Sequence, residues 1–332
     1  MDFTHLNFYH IYALGFCNAE KRRVKHAYPI SHRLSAVVDY IPTLKRLGTT
    51  AIILGPLFQS ESHGYDTIAY DQVDQRLGDE ADLKNLVHVC HQNEIRVVSD
   101  CVFNHVGRGH FAFQDLREKG RDSAYVDWFK GIDFSKSNPC QDPFDYETWD
   151  GHYDLVKLNL KNEEVKRYLI DVALKWIHTY DFDGLRMDAA NVMDQNFLRD
   201  LSRACKGVKS EFIMIGEVVG GDYVGLAKSG EFDALTNYEC YKGLYSSLND
   251  RNYFEIAYAL NRQFGEQGIM KDIGLYNFVD NHDVNRVASN LLKESHLYPL
   301  YLLLYTMPGI PSVYYLSEYG QKGLRTPFSD DA

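Results

Sequence analysis

Basic residues are in deficit in this chain, 35 Lys and Arg against 46 Asp and Glu, which leaves a formal net charge of −11. Phosphate backbones and anionic lipid surfaces demand a basic footprint, so neither nucleic acid nor membrane is expected as a partner, and a neutral substrate fits better. Cysteine is sparse. Cys17, Cys90, Cys101, Cys140, Cys205 and Cys240 form no Cys-x-x-Cys pair, which argues against a metal cluster and against disulfide stapling. Cys17 and Cys101 sit in apolar runs and read as inert core thiols. No apolar run reaches the roughly 20 residues of a membrane span. The N-terminal MDFTHLNFYH also lacks the charged-then-apolar pattern of a signal peptide, so the chain reads as cytoplasmic. Low-complexity segments and long internal repeats are absent as well.

What is present is a large core. Hydrophobic residues make up 45% of the 332 positions and aromatic residues 14%, with 24 tyrosines that offer stacking faces and a polar handle. That length suits one large barrel domain with an insertion, or two ordinary domains. Short apolar runs alternate with helix-period segments, the pattern of parallel strands joined by helices. Strands are predicted at 8–13, 51–54, 96–102, 184–187, 212–215, 232–235, 275–279 and 312–315. Helices are predicted at 82–91, 163–178 and 253–264, where apolar residues recur every three or four positions. Eight such strands suggest an α/β fold, a (β/α)8 TIM barrel. The stretch from Asn104 to Leu160, rich in Asp, Gly and aromatic residues, is far longer than an ordinary loop. It is expected to be a small inserted domain after strand three, dividing the barrel into 1–103 and 161–332. Its aromatics Trp128, Phe129, Phe144, Tyr146, Trp149 and Tyr153 are candidates either for a cleft wall or for the insert's own core.

The run DGLRMDAAN, Asp183 to Asn191, carries the most chemistry. Alternate side chains of a strand share a face, so Arg186 and Asp188 point the same way. A guanidinium beside a carboxylate favours its ionised form, which makes Asp188 a candidate nucleophile with a depressed pKa. A structural salt bridge is the plainer reading of that triplet. Three further apolar runs also end in acids or histidines: DCVFNH (100–105), IGEVV (215–219) and FVDNHD (278–283).

Together these four runs, in this order, resemble the α-amylase superfamily of glycoside hydrolases, and most closely its neopullulanase and cyclomaltodextrinase branch. Two further segments, LVKLN (155–159) and HGYDTIAYDQVDQRLG (63–78), are similar to family regions too. The resemblance implies a barrel with its site at the carboxyl ends of the strands and a retaining mechanism. In it Asp188 is the nucleophile, Glu217 the acid/base, and Asp283 the acid that holds sugar hydroxyls and steadies the transition state. Glu217 follows the apolar run FIMIG, where burial would raise its pKa. By the same resemblance Tyr65, His105, Arg186 and His282 contact the sugar at the cleavage subsite, and Asp100 orients Arg186. Asp66 and Arg286 match residues that pair in several members to bound the non-reducing end, and related enzymes that cleave cyclodextrins and pullulan carry a similar Tyr-Asp-Thr. The implied substrates are α-1,4-linked, and also α-1,6-linked, glucans and malto-oligosaccharides.

Departures from the family pattern matter as well. Asn191-Val192 stands where many starch-cleaving members have Lys-His, which weakens a calcium site even though Asn104 matches a calcium-ligating asparagine. No cofactor is required, and calcium stays an open expectation. Leu316 stands where the family usually has glycine. The chain ends at Asp331-Ala332, before the eighth helix and the β-sandwich expected to follow. The outward side chains of the apolar strand Ile310–Leu316 are therefore expected to meet water, to be covered by a longer chain or by a homo-oligomer. Two other functions fit the same scaffold: a transglycosylase that passes the sugar to another sugar, and a non-catalytic glycan-binding or scaffold subunit, which predicts loss of the three acids.

Overall fold

The computed structural model describes residues 3, 5–23 and 30–324. Eight short strands are the skeleton: β1 (Phe8–Ile11), β2 (Ala51–Leu54), β3 (Arg96–Cys101), β4 (Gly184–Met187), β5 (Ile213–Gly216), β6 (Ala234–Thr236), β7 (Leu275–Asn277) and β8 (Ile310–Tyr314). Each pairs in parallel with the next, and β8 pairs with β1, so the sheet closes in chain order into a barrel. The expected (β/α)8 architecture is the observed one.

Period-two alternation sorts the strand side chains. Phe8, Ala51, Ile53, Val98, Ile213, Ile215, Ala234, Tyr276 and Ile310 pack together as the barrel interior. Tyr9, Ile11, Ile52, Leu54, Val97, Leu185, Met187, Met214, Leu235 and Val313 join the larger core between barrel and helices. Asp100 and Arg186 therefore share the inward parity of Val98 and Gly184. Gly184 opens β4 because β5 passes so close that a Cβ there would lie 2.5 Å from the Ile213 carbonyl oxygen.

β2 and β4 have the bounds read from the sequence. β5 begins one residue later than predicted, since Phe212 closes a turn by donating its N–H to Lys209 O. The outer helices include Ser35–Arg46, Glu80–Gln92, Glu163–Tyr180, Gln195–Val208, Tyr238–Asp250, Phe254–Phe264 and Leu297–Thr306. Glu80–Gln92 starts earlier than its apolar period because Asp79 and Asp82 form a reciprocal capping box, a polar start that periodicity does not show.

Between β3 and Glu163–Tyr180 the chain builds a three-stranded antiparallel sheet from His105–Gly107, His152–Lys157 and Thr148–Trp149. Trp128, Phe129, Phe144 and Tyr146 are buried there as core, whereas Trp149 is half-buried and stacks on His105, ring centroids 6.1 Å apart.

The exposed strip expected on β8 is not found. Ile310, Ser312, Val313 and Tyr314 are buried, and Tyr315 packs edge-on against Phe16. Glu318 folds back over the outer face, accepting hydrogen bonds from Tyr9 at 2.8 Å and Tyr40 at 2.6 Å. This short return of chain supplies cover that had been ascribed to a missing helix. The end of the chain itself, residues 325–332, lies outside the described residues. None of the described helices is long and apolar enough to cross a membrane.

Candidate active site

Arg186 is the hub. It stands opposite Asp100 in the β3–β4 register and beside Ile215 in the β4–β5 register, two residues before Glu217. Its Nη1 donates to Asp100 Oδ1 at 2.9 Å, to Asp100 Oδ2 at 3.1 Å and to Asp188 Oδ1 at 3.0 Å. Its Nη2 lies 2.6 Å from Glu217 Oε1. One buried guanidinium thus serves three buried carboxylates at the carboxyl end of the barrel.

That ratio reverses one expectation. Burial first, and then the Glu217 carboxylate, push Asp188 well above the ordinary carboxylate range, against the pull of Arg186. Arg186 does pull Asp188 down as its position in sequence suggests, but burial and the neighbouring carboxylates outweigh it.

From Asp100 a network runs across the mouth of the barrel. Tyr65 donates its phenol proton to Asp100 Oδ2 at 2.8 Å. Burial and the Asp100 charge hold that phenol far above its usual pKa, so it stays a donor. Tyr65 Oη also lies 2.6 Å from His282 Nε2, and the two rings stack 5.1 Å apart and 7° from parallel. With the phenol proton committed to Asp100, the His282 Nε2 carries the proton in this contact. The same nitrogen is 3.2 Å from Asp283 Oδ2. Asp283 is thereby tied into the cluster, with a side chain 32% exposed where Asp188 and Glu217 are nearly closed off.

The remaining candidates divide. His105 is buried, its Nε2 3.0 Å from the Tyr65 carbonyl oxygen, and burial lowers its pKa to about 3, so it is a neutral prop for the Tyr65 loop. Asp66 and Arg286 are not brought together. Asp66 Oδ2 accepts from Ser62 Oγ at 2.6 Å while Oδ1 has no hydrogen-bond partner. Arg286 donates to the Tyr315 carbonyl and to Ser317 Oγ, with its guanidinium 4.4 Å from the Tyr314 and Tyr315 ring centroids. Those aromatic rings draw it against β8. Leu316 adopts φ +62°, the left-handed conformation for which glycine is the usual choice, and donates its N–H to Tyr9 Oη at 2.9 Å.

Sequence reasoning missed several contacts. Tyr238 Oη lies 3.4 Å from Glu217 Oε1 and accepts from Asn281 Nδ2 at 2.9 Å. The backbone N–H of Ala189, itself at φ +51°, donates to Glu217 Oε2 at 2.9 Å. His10, buried on β1, packs edge-on against His282 at 5.3 Å. Strand parity was the available signal: His10 follows Phe8, and Tyr238 follows Thr236, each by two residues on the inward face.

Calcium is the metal that the family resemblance raised. It wants about six to eight oxygen ligands. Asn104 is buried with its amide 3.2 Å from His105 Nδ1, and it borders a cavity of about 420 Å3 lined also by Lys130, Lys161, Val192 and Asp194. The Asp194 carboxylate already caps a helix by accepting from Phe197 N–H at 3.0 Å. The same lining includes the amide side chains of Gln195 and Asn196, so oxygen donors stand beside the two ammonium groups.

Comparison with known proteins fits this geometry. The family model "Alpha amylase, catalytic domain" matches residues 10–331. The chain belongs to the α-amylase family. It is 33% identical over 308 residues to "Maltogenic alpha-amylase" of Bacillus acidopullulyticus, covering 89% of this chain and 50% of that protein. To "Cyclomaltodextrinase" of Geobacillus thermopakistaniensis it is 34% identical over 300 residues, with 89% and 50% covered. This α-amylase-family chain thus spans about half the length of the curated relatives it matches. Among solved structures, the ligand-free "Cyclic alpha-maltosyl-(1-->6)-maltose hydrolase" of Arthrobacter globiformis superposes with a TM-score of 0.85 at 28% identity, covering 98% of this chain and 76% of the other.

Proposed function

We propose that this chain is the catalytic barrel of a retaining glycoside hydrolase that cleaves α-glucosidic bonds in malto-oligosaccharides and related α-glucans. The observation that carries the reading is the single guanidinium joining Asp188 to Glu217, with Asp283 tied in through His282 and Tyr65. The names of the relatives, a cyclomaltodextrinase and a hydrolase of a (1→6)-linked cyclic maltoside among them, support α-1,4 substrates with α-1,6 bonds in range.

In this reading Asp188 attacks the anomeric carbon as the bond to the leaving oxygen breaks, and Glu217 gives that oxygen its proton. Water then loses a proton to Glu217 and displaces Asp188, so configuration is retained. An acid and a nucleophile sharing one site require one carboxyl to carry a proton while the other is ionised. When the bond breaks, that proton belongs on Glu217. Asp283, the most exposed of the acids, meets the sugar and offsets developing positive charge. Every role in this reading is taken by a side chain.

The test is to incubate the protein with amylose, pullulan, cyclodextrin, maltotriose and sucrose and to resolve the products. Maltose-class products from at least one α-glucan are expected, and inertness toward all of them would overturn the reading.

A further inference from the structure

The side-chain amide of Asn281 can face its neighbours in only one way. Its Oδ1 accepts from the Asp283 backbone N–H at 2.8 Å, and a backbone N–H can only donate, so the amide oxygen belongs on that side. Nδ2 therefore faces the other way and donates to Tyr238 Oη at 2.9 Å. With its oxygen occupied from that direction, the Tyr238 phenol turns its own proton to Glu217 Oε1, 3.4 Å away. Three donors in line thus run from the end of β7 to the acid at the end of β5, and all point toward Glu217.

The corner of this chain is fixed. Tyr238 opens the helix Tyr238–Asp250, whose cap Asn237 donates to Asn277 Oδ1 at 2.8 Å and accepts from Gln263 Nε2 at 2.9 Å, all three amides being buried. The Tyr238 ring packs edge-on against Phe278, centroids 4.8 Å apart. Desolvation, and then the charges of Asp283 and Glu217, hold the phenol far above its usual pKa, so it keeps its proton. The other charged or titratable groups gathered about Glu217 and its guanidinium are Arg186 and Asp188 from β4, Asp100 from β3, Tyr223 from the segment after β5 and Asp283 after β7. Among the described residues, Arg186, 2.6 Å from Oε1, and Tyr238 are the side chains that bring a donor to that carboxylate. Arg186 is shared with Asp100 and Asp188, whereas Tyr238 turns to Glu217 alone.

We propose that Tyr238, aimed by Asn281, is a positioning residue for the acid/base: its phenol proton holds the Glu217 carboxylate after Glu217 has given its proton to the leaving oxygen and until it takes one from water. The phenol keeps its own proton throughout. At 3.4 Å the contact is longer than the roughly 2.5–3.0 Å of a settled O–H···O bond, which leaves room for it to close as charge develops on Glu217. The assignment rests on Glu217 as acid/base, and it adds two residues, Tyr238 and Asn281, that act through that acid.

The test compares two substrates that share the same donor sugars, maltotetraose and α-maltosyl fluoride, whose fluoride leaves with little help from an acid. Tyr238→Phe removes the hydroxyl and keeps the ring that packs on Phe278. On maltotetraose its kcat/KM should fall about fivefold, the worth of one hydrogen bond, and the basic limb of the pH profile should move up by about 0.7 pH unit. The limb moves up because the ionised acid has lost a donor and so keeps its proton to higher pH. On the fluoride kcat/KM should stay within about twofold. Asn281→Ala alone should move the limb in the same direction, and added to Tyr238→Phe should move it no further. A limb that stays in place in Tyr238→Phe, equal falls on both substrates, or a further shift in the double variant would overturn the assignment and leave the glycosidase reading intact. Failure of the unaltered protein to turn over either substrate would sink the glycosidase reading, and the part of Tyr238 with it.

Discussion

Asp100 stands directly opposite Arg186 in the β3–β4 register and takes the guanidinium on both carboxylate oxygens, at 2.9 and 3.1 Å. The pair is buried and fixes the direction from which Arg186 reaches Asp188 and Glu217. Asp100→Asn should therefore lower kcat/KM about 100-fold through misplacement of the reacting groups. It should also cost about 3 kcal/mol of stability, as breaking a buried pair does. Steady-state kinetics and urea unfolding check both, and unaltered kinetics would show that Arg186 is held by other means.

The two carboxylates on Arg186 should differ in what their loss does. Asp188→Asn should abolish turnover of every substrate. Glu217→Gln should lose turnover of ordinary glucans yet still form a glycosyl-enzyme from an aryl glycoside whose leaving group needs no proton. Stopped-flow release of the aryl group measures that first step, and its equal loss in both variants would reject the two roles.

Buried neutral histidines set an acid limit. Burial holds His105 and His110 at pKa values of about 3, against about 6.5 in the unfolded chain. Between those values the unfolded chain binds more protons, so stability falls as pH falls from about 6.5 toward 3 and is insensitive to these groups above that window. Each histidine contributes a slope of about 1.4 kcal/mol per pH unit well inside it. Urea midpoints at a series of pH values should drop accordingly, and His110→Phe should flatten the slope. A flat profile in the unaltered protein would contradict the burial argument.

Chelation should do little. With Lys130 and Lys161 lining the cavity beside Asn104, excess chelator is expected to leave the melting temperature and the rate of glucan cleavage unchanged. A lowered melting temperature restored by calcium would show that oxygen ligands assemble there after all.

Much of this was legible in the sequence because the site is built on strand ends, where a two-residue step decides which side chains share the barrel mouth. Arg186 with Asp188 follows from that step alone, whereas Asp100 beside Arg186 was implied by the family resemblance. The direction of the Asp188 pKa did not, because it depends first on burial and then on the Glu217 carboxylate brought beside it, and both are set only when the strands close into the barrel. Nor did the seating of the Arg286 guanidinium on the Tyr314 and Tyr315 rings. The cover over β8 was misread for a similar reason, since Glu318 finds Tyr9 and Tyr40 only once the barrel has closed.

The central claim is that a sugar becomes covalently attached to Asp188, and trapping that species tests it most directly. Treatment with a 5-fluoro-α-maltosyl fluoride, followed by proteolysis and mass spectrometry, should place one maltosyl-derived adduct on the peptide carrying Asp188, and none on that peptide from Asp188→Asn. Turnover of glucans that gives a β-configured first product, with the Asp188 peptide unlabelled, would contradict the account.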